Sequence, residues 1–431
     1  MPVFRQPELP LLLPVFGFVW LAYVALTGAG HQLPFDAWLV PAAFTVLFLL
    51  LHFVLAAVLP DRDQLLLPLT AMLVAVGLVE VARLEPDLAL TQLLWATLGV
   101  AVLAGVCIFM RSYLFLRDYK YLAAAAGIGL LGLTALVGRE VNGARLWLGV
   151  GPYTFQTTEV MKVLLVLFLA GYLAEKRQLL ARLTVNAGPV RLPNVSYLVP
   201  VGVIWAFTLL MLLWQRDLGS VLLLTGVTLL LLYVATGRAS LVAGGAAMFA
   251  VNAFLAYHLF DHVRRRIEIW LDPFQDPRDA GFQTVQGLYA VAAGGISGTG
   301  LGRGFPEYIP YVHTDLVFAA ISEELGAAGA LAVVAVYLLL AFRGLRVALA
   351  ERTDYGRLLA LGFTGILALQ TLVILAGNLS LMPLTGITLP FISYGGSSLL
   401  VNFLIVGMLL RLSAGPPRRR LRPGAGPPAP A

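Results

Sequence analysis

The chain's 431 residues are 59% hydrophobic and only 12% charged, too few charges for a soluble surface, where roughly 25% is usual. Its apolar residues fall in blocks of about 17–25, the length that crosses a hydrocarbon core, and runs such as 163–173 and 221–233 lack the alternation of barrel strands. A soluble fold and a β-barrel are therefore excluded, and the net charge of +6 is read by side of the membrane, with no nucleic acid as partner.

In chain order, the apolar runs predict an all-α polytopic transmembrane protein of about 12 spans, over 10–29, 36–59, 66–84, 91–110, 119–137, 158–175, 195–213, 217–236, 239–260, 316–342, 358–377 and 390–412. An even count puts both termini on one side. That side gathers Arg343, Arg346, Arg352, Arg357 and the arginines of 418–422, while the opposite loops carry far fewer basic residues. The positive-inside rule makes both termini cytoplasmic. The segment 413–431, rich in Pro, Gly and Arg, is expected to be a disordered basic tail beside the lipid headgroups. The single Cys107 can form no internal disulfide and leaves the redox compartment open.

Two outside segments exceed what a connector needs, 138–157 and the long loop 261–314 between spans nine and ten. Within the second, 284–296 interleaves apolar with small residues and is expected to form a short helix in the interface or re-entering the membrane.

Charged residues at span ends are the candidates for chemistry. Glu159 and Lys162, three apart on one helix, either pair with each other or meet a substrate. Asp217 is expected to cap the following helix, which leaves Arg216 the better candidate to meet a ligand. Asp315 and Glu323 are expected on one helix face, with Glu323 and Glu324 either in a buried hydrogen-bond network or at a site. The stretch 270–283 with Arg264, Arg265 and Arg266 sets carboxylates and arginines beside Trp270, Phe274 and Phe282. Cations there suit a diphosphate, aromatic faces suit sugars or a lipid tail, and a carboxylate suits a general base; the bland reading is a set of Asp-Pro turns. The glycines of 294–304 lack the Lys and Ser/Thr of a phosphate loop and are expected to pack closely or flex. His and Cys show no metal-ligand spacing.

Taken together and in order, these segments resemble the SEDS family (the FtsW/RodA/SpoVE group) over about 66–412. NGARLW at 142–147 and FQTTEVMK at 155–162 look like the family's NGAxRW and FQPSExxK, and QRDLG at 215–219 its QPDLG. DPRDAGFQ at 276–283 is similar to its DPxGxGYQ, HTD at 313–315 with EELG at 323–326 to its HTD and EELG, and PFISYGGSS at 390–398 matches outright. The resemblance implies a ten-helix catalytic core over 66–412 preceded by two N-terminal helices within 1–65. It implies a peptidoglycan glycosyltransferase of the cytoplasmic membrane that polymerises lipid II on the outer face by inverting transfer, releasing undecaprenyl diphosphate. Asp276 aligns with the family's essential aspartate and is the expected base; Asp279, where the family has glycine, is the alternative. Arg145, Lys162 and Arg216 are implied at the diphosphate and Trp147 at lipid or sugar, with Glu159, Asp217, Arg264, Gln283, His313, Asp315, Glu323, Ser393 and Ser397 also at the substrate site. The implied partners are the bilayer and a class B penicillin-binding protein transpeptidase, and Mg²⁺ bridging carboxylate and diphosphate is chemically reasonable. The alternatives are a lipid II flippase without covalent chemistry and a scaffold. A carrier should place its ionisable groups near the midplane in repeated halves, whereas here they crowd the outside loops, which favours the enzyme.

Overall fold

The computed structural model describes residues 7–31, 35–141, 144–150, 153–182, 184–187, 190–193 and 197–415. Apolar length sets its frame. The first six apolar helices are α1 (Glu8–Gly28), α2 (Leu39–Val58), α3 (Leu66–Leu84), α4 (Ala89–Phe109), α5 (Lys120–Val137) and α6 (Thr157–Arg182). They are followed by α7 (Val199–Trp214), α8 (Leu218–Thr236) and α9 (Ala239–Leu259), then by two short helices, α10 (Asp261–Leu271) and α11 (Phe282–Gly294). The last three are α12 (Val317–Ala350), α13 (Asp354–Asn378) and α14 (Gly396–Ser413). Among the described residues eleven of these are long and apolar enough to cross a membrane, and α7 is apolar but shorter, at 16 residues. The chain is a polytopic helical membrane protein with its spans where the apolar runs place them. Two ends move for local reasons. α12 continues past 342 through Arg343 and Arg346, and α14 starts at Gly396 because Pro390 and the left-handed Phe391 (φ 70°) interrupt the run before it.

The face that carries 261–316 is called the loop face, and the other the termini face. α3, α6 and α14 are the most enclosed of the spans, whereas α9 buries only Ala256. On the termini face, buried Glu8 accepts from Arg62 Nε at 3.1 Å and meets His52 Nδ1 at 2.6 Å. The neighbouring Asp63 accepts from Arg343 Nε of α12 at 2.9 Å. The first helices are thus keyed to the rest of the bundle by charge as well as by packing.

The outside segment 138–157, longer than a connector needs, contains strands. β1 (Arg139–Val141), β2 (Ala144–Val150) and β3 (Tyr153–Gln156) form an antiparallel sheet on the loop face, with Trp147 opposite both Arg139 and Gln156. A second hairpin, β4 (Thr184–Ala187) with β5 (Val190–Pro193), follows α6. Strands this short carry too little alternation to stand out in an apolar sequence.

α12 is broken at Gly326, whose backbone (φ 65°, ψ −171°) belongs to glycine alone. The freed groups are taken up by the loop after α11. Thr299 and Gly300 donate to the Glu323 and Glu324 carbonyls at 3.0 and 2.9 Å, and Ala327 donates to Gly295 at 2.9 Å. Side chains at Gly294 or Gly298 would run into the Ser322 and Glu324 carbonyls. The expected short helix is therefore α11, dipping to the level of Ser322, and the glycine-rich stretch is close-packed backbone. Non-helical chain there is tolerated because these backbone groups find partners on α12.

Candidate functional site

The site begins with α10. Val263, Ile267 and Trp270 recur at helical spacing and turn inward, while Arg264, Arg265 and Glu268 face out. Trp270 Nε1 donates to the Ser380 carbonyl at 2.9 Å, and Arg266 Nη1 to the Leu384 carbonyl at 3.1 Å, which clamps the helix against the loop after α13. The same 4-and-3 spacing in the sequence could have revealed this helix, but its charges disguised it as loop.

Three cavities surround α10. The first, about 630 Å³, is an apolar cleft among α7, α8, α9 and α10, lined by Trp205, Leu209, Val221, Met248 and Ile267 and closed at one end by Arg266 and 382–385. The second, about 200 Å³, holds Arg266, Trp270, Gln283, Thr284 and Asp315. The third, about 410 Å³, is lined by Arg264, Arg265, Glu268, Asp272 and Asp276. Arg266, Met382 and Leu384 belong to both the cleft and the small chamber, and Ile269 and Ala280 to both polar chambers. Apolar, mixed and polar spaces therefore adjoin in series.

Asp276 sits in a tight turn. Its Oδ2 accepts from Ala280 N–H at 3.3 Å, and its carbonyl from Gly281 N–H at 2.9 Å. Gly281 is required there, since a Cβ would press on the Pro273 and Asp276 carbonyls. Asp276 lines the polar chamber; Asp279 does not, and its carboxylate points outward 4.0 Å from Arg265. Arg264, in the same chamber, is held by Asp261 at 2.8 Å. Gln283 donates to the Pro310 carbonyl at 2.9 Å from the wall of the small chamber. Asp315 faces it there, its carboxyl pushed above the usual range by burial and drawn down by Thr314 and Arg266. Asp315 precedes α12 and Glu323 lies inside it, so the expected shared helix face is not formed.

Arg216, with φ 63°, stands exposed in the turn between Leu213 and Leu218 of the apolar cleft. It lies close enough to His262 to help burial, with Arg266, in lowering that imidazole's pKa. Asp217 caps α8 as expected, accepting from Ser220 N–H at 3.0 Å.

Other expected residues are drawn elsewhere. Lys162 is enclosed between spans, 2.6 Å from Glu159 and 2.9 Å from Gln370 Oε1, so the pair has the mutual, interior form. Glu323 and Glu324 hold the glycine loop: Glu323 accepts from Phe305 N–H and Glu324 from Gly302 N–H, both at 2.8 Å, and Arg83 pairs with Glu324 at 3.0 Å. That is the buried network, and Glu323 lines none of the three cavities. Ser393 bridges the Leu389 N–H and the Thr314 carbonyl, and Ser397 accepts from Gln156 N–H at 3.0 Å. His313 stands 3.8 Å from Glu85 and edge-on to Tyr394. Arg145, paired with Glu140, and Trp147 sit on β2 and also line none of these cavities. Asn142 and Gly143 of the first motif lie outside the described residues, as does 416–431. Among the described residues no three His, Cys, Asp or Glu side chains converge as a cation site.

Fold and site together define a multi-pass membrane protein with an apolar cleft and a polar chamber on one face, each bordering a small chamber between them. The chain belongs to the FtsW/RodA/SpoVE family: the family's model, described as "Cell cycle protein", matches residues 46–416. It is 38% identical over 437 residues to the peptidoglycan glycosyltransferase RodA of Mycobacterium tuberculosis, covering 98% of this chain and 93% of that one. It is 34% identical to the stage V sporulation protein E of Bacillus subtilis (81% and 96% covered) and 36% identical to a probable peptidoglycan glycosyltransferase FtsW of Geobacter sulfurreducens (75% and 84%). Among solved structures, a chain of a peptidoglycan synthase complex superposes with a TM-score of 0.70 at 31% identity, covering 83% of this chain and 99% of that one. RodA of Thermus thermophilus superposes with a TM-score of 0.60 at 28% identity (82% and 96% covered).

Proposed function

We propose that the chain is a peptidoglycan glycosyltransferase that polymerises lipid II, with the loop face outside and both termini in the cytoplasm. The activity is that of the relatives in Mycobacterium and Geobacter. The observation that carries the site assignment is the series of three spaces. An undecaprenyl diphosphate sugar needs an apolar berth for its chain, a cation at the diphosphate and a carboxylate beside the sugar, and the cleft, Arg266 and Asp276 stand in that order.

In the proposed step the acceptor sugar's hydroxyl oxygen bonds to the anomeric carbon of the donor from the face opposite the diphosphate. The carbon–oxygen bond to diphosphate breaks, its electron pair leaves with undecaprenyl diphosphate, and the configuration inverts. Asp276 takes the hydroxyl proton. Arg266, with Arg216 nearby, stabilises the departing charge. The cavity wall favours Asp276 over Asp279 as base, since only Asp276 lines the chamber.

A class B penicillin-binding protein is the proposed partner, because the structural relative belongs to a complex that coordinates polymerization and crosslinking. The domain reading follows the same logic, with a catalytic core over 66–412, a helix pair before it and a basic tail from 413. The test is glycan-strand formation from purified lipid II by the wild-type chain and by Asp276→Asn, alone and with a transpeptidase-inactive class B partner. Strands from wild type and none from the variant support the proposal. No strands from folded, partner-bound wild type would favour lipid transport.

A further inference from the structure

α1 lies outside the 46–416 that the family model matches, yet its end meets the loop after α11. At its outer end, His31 Nε2 lies 2.8 Å from the Gly302 carbonyl. A Cβ on Gly302, whose φ is 75°, would press on the His31 ring and on Leu26. The N–H of the same glycine is bonded to Glu324 Oε2 at 2.8 Å, and Glu324 is in turn paired with Arg83. Gly302 is thus gripped from two sides, by α1 and by the first segment of α12. At its inner end α1 is equally fixed, through buried Glu8 to Arg62 and, next along the chain, Asp63 to Arg343.

We infer that α1 is a strut across the membrane that holds the 295–305 loop in place, with His31 a positioning residue for the transfer reaction. The route to the chamber is short. The loop continues directly from α11, whose other end carries Gln283 and Thr284 in the wall of the small chamber, and a helix passes displacement from end to end. A hydrogen bond and a close contact carry the coupling, so loss of the imidazole should slow turnover about fivefold. The inference rests on the glycosyltransferase reading for its activity arm and on geometry for the other.

The experiment uses the full chain in a lipid II polymerisation assay, with His31→Ala and His31→Gln, the latter keeping an N–H donor at similar reach. A second arm places Leu301→Cys in each background and follows maleimide labelling; the native Cys107 is buried. Expected are a turnover about fivefold lower in His31→Ala at unchanged lipid II half-saturation, recovery in His31→Gln, and faster labelling of Cys at 301 in the alanine background only. Wild-type turnover and labelling in His31→Ala would overturn the inference, as would a loss that His31→Gln shares along with a lowered melting temperature. Absence of strands from wild type would strike the glycosyltransferase reading instead, and labelling alone would then decide whether His31 holds the loop.

Discussion

Arg266 Nη1 donates to the Leu384 carbonyl at 3.1 Å, and that bond stands the guanidinium in the wall of two cavities at once, the apolar cleft and the small mixed chamber. Arg264, two residues earlier, is tied to Asp261 at the surface. Neighbouring arginines of one helix are therefore expected to differ sharply in what they do. Arg266→Ala should raise the half-saturating lipid II concentration about tenfold or more, since a charged hydrogen bond is lost in a partly enclosed place. Arg264→Ala should change it by less than about twofold, as exposed pairs contribute little. Steady-state polymerisation over a lipid II series measures both, and equal effects would remove Arg266 from the proposed diphosphate site.

Asp276→Asn keeps the volume and removes the proposed base, so turnover should fall by roughly 10²–10⁴ with lipid binding retained. Asp279→Asn should stay within a few-fold of wild type, because its carboxylate lines no chamber. The reverse ranking in a single-turnover assay would move the base to Asp279.

Gly281→Ala should abolish polymerisation in a folded protein. The added methyl presses on the Pro273 and Asp276 carbonyls, and only a reopened 272–282 turn relieves it. Activity, with circular dichroism and melting as controls, tests this; full activity would mean that the turn does not set the carboxylate.

Gly326→Ala should act on stability instead. It needs a glycine-only conformation and would drive a methyl toward the Gly298 N–H and Ile296 carbonyl, a cost of about 3 kcal/mol or more. A melting temperature in detergent lowered by several degrees is expected.

His313 supplies a pH dependence. Burial lowers its pKa, with Glu85 opposing in part. A folded-state pKa below the unfolded value means stability that is present above the ordinary histidine range and lost as pH falls through the lowered pKa. His313→Gln should therefore flatten the fall in melting temperature between about pH 7.5 and pH 5. A variant with the wild-type slope would place that loss on other groups.

The spans were legible because crossing a membrane is a property of length and hydropathy, both local. The Asp217 cap and the Glu159–Lys162 pair were legible for the same reason, being contacts within one turn. What local pattern does not encode is which distant segments meet. Glu323 faces the glycine loop through Phe305 N–H, 18 positions back, while Asp315 looks into a chamber shared with Arg266. Arg145 and Trp147, expected at the same site as Asp276, ride on a sheet fixed to α14 through Ser397. α10 was hidden for a different cause: eleven residues with three consecutive arginines read as loop until Val263, Ile267 and Trp270 are set on one side.

α9, with Ala256 its one buried residue among the described ones, is the outer wall of the apolar cleft. A wall so little engaged borders on hydrocarbon, so a prenyl chain arriving there need never pass through water. On the proposed reading the enzyme meets its substrate by diffusion in two dimensions, and what governs occupancy is the number of lipid II molecules per unit of bilayer area. Half-saturation measured in micelles should then scale with the mole fraction of lipid II in the detergent and be indifferent to its molar concentration at fixed fraction.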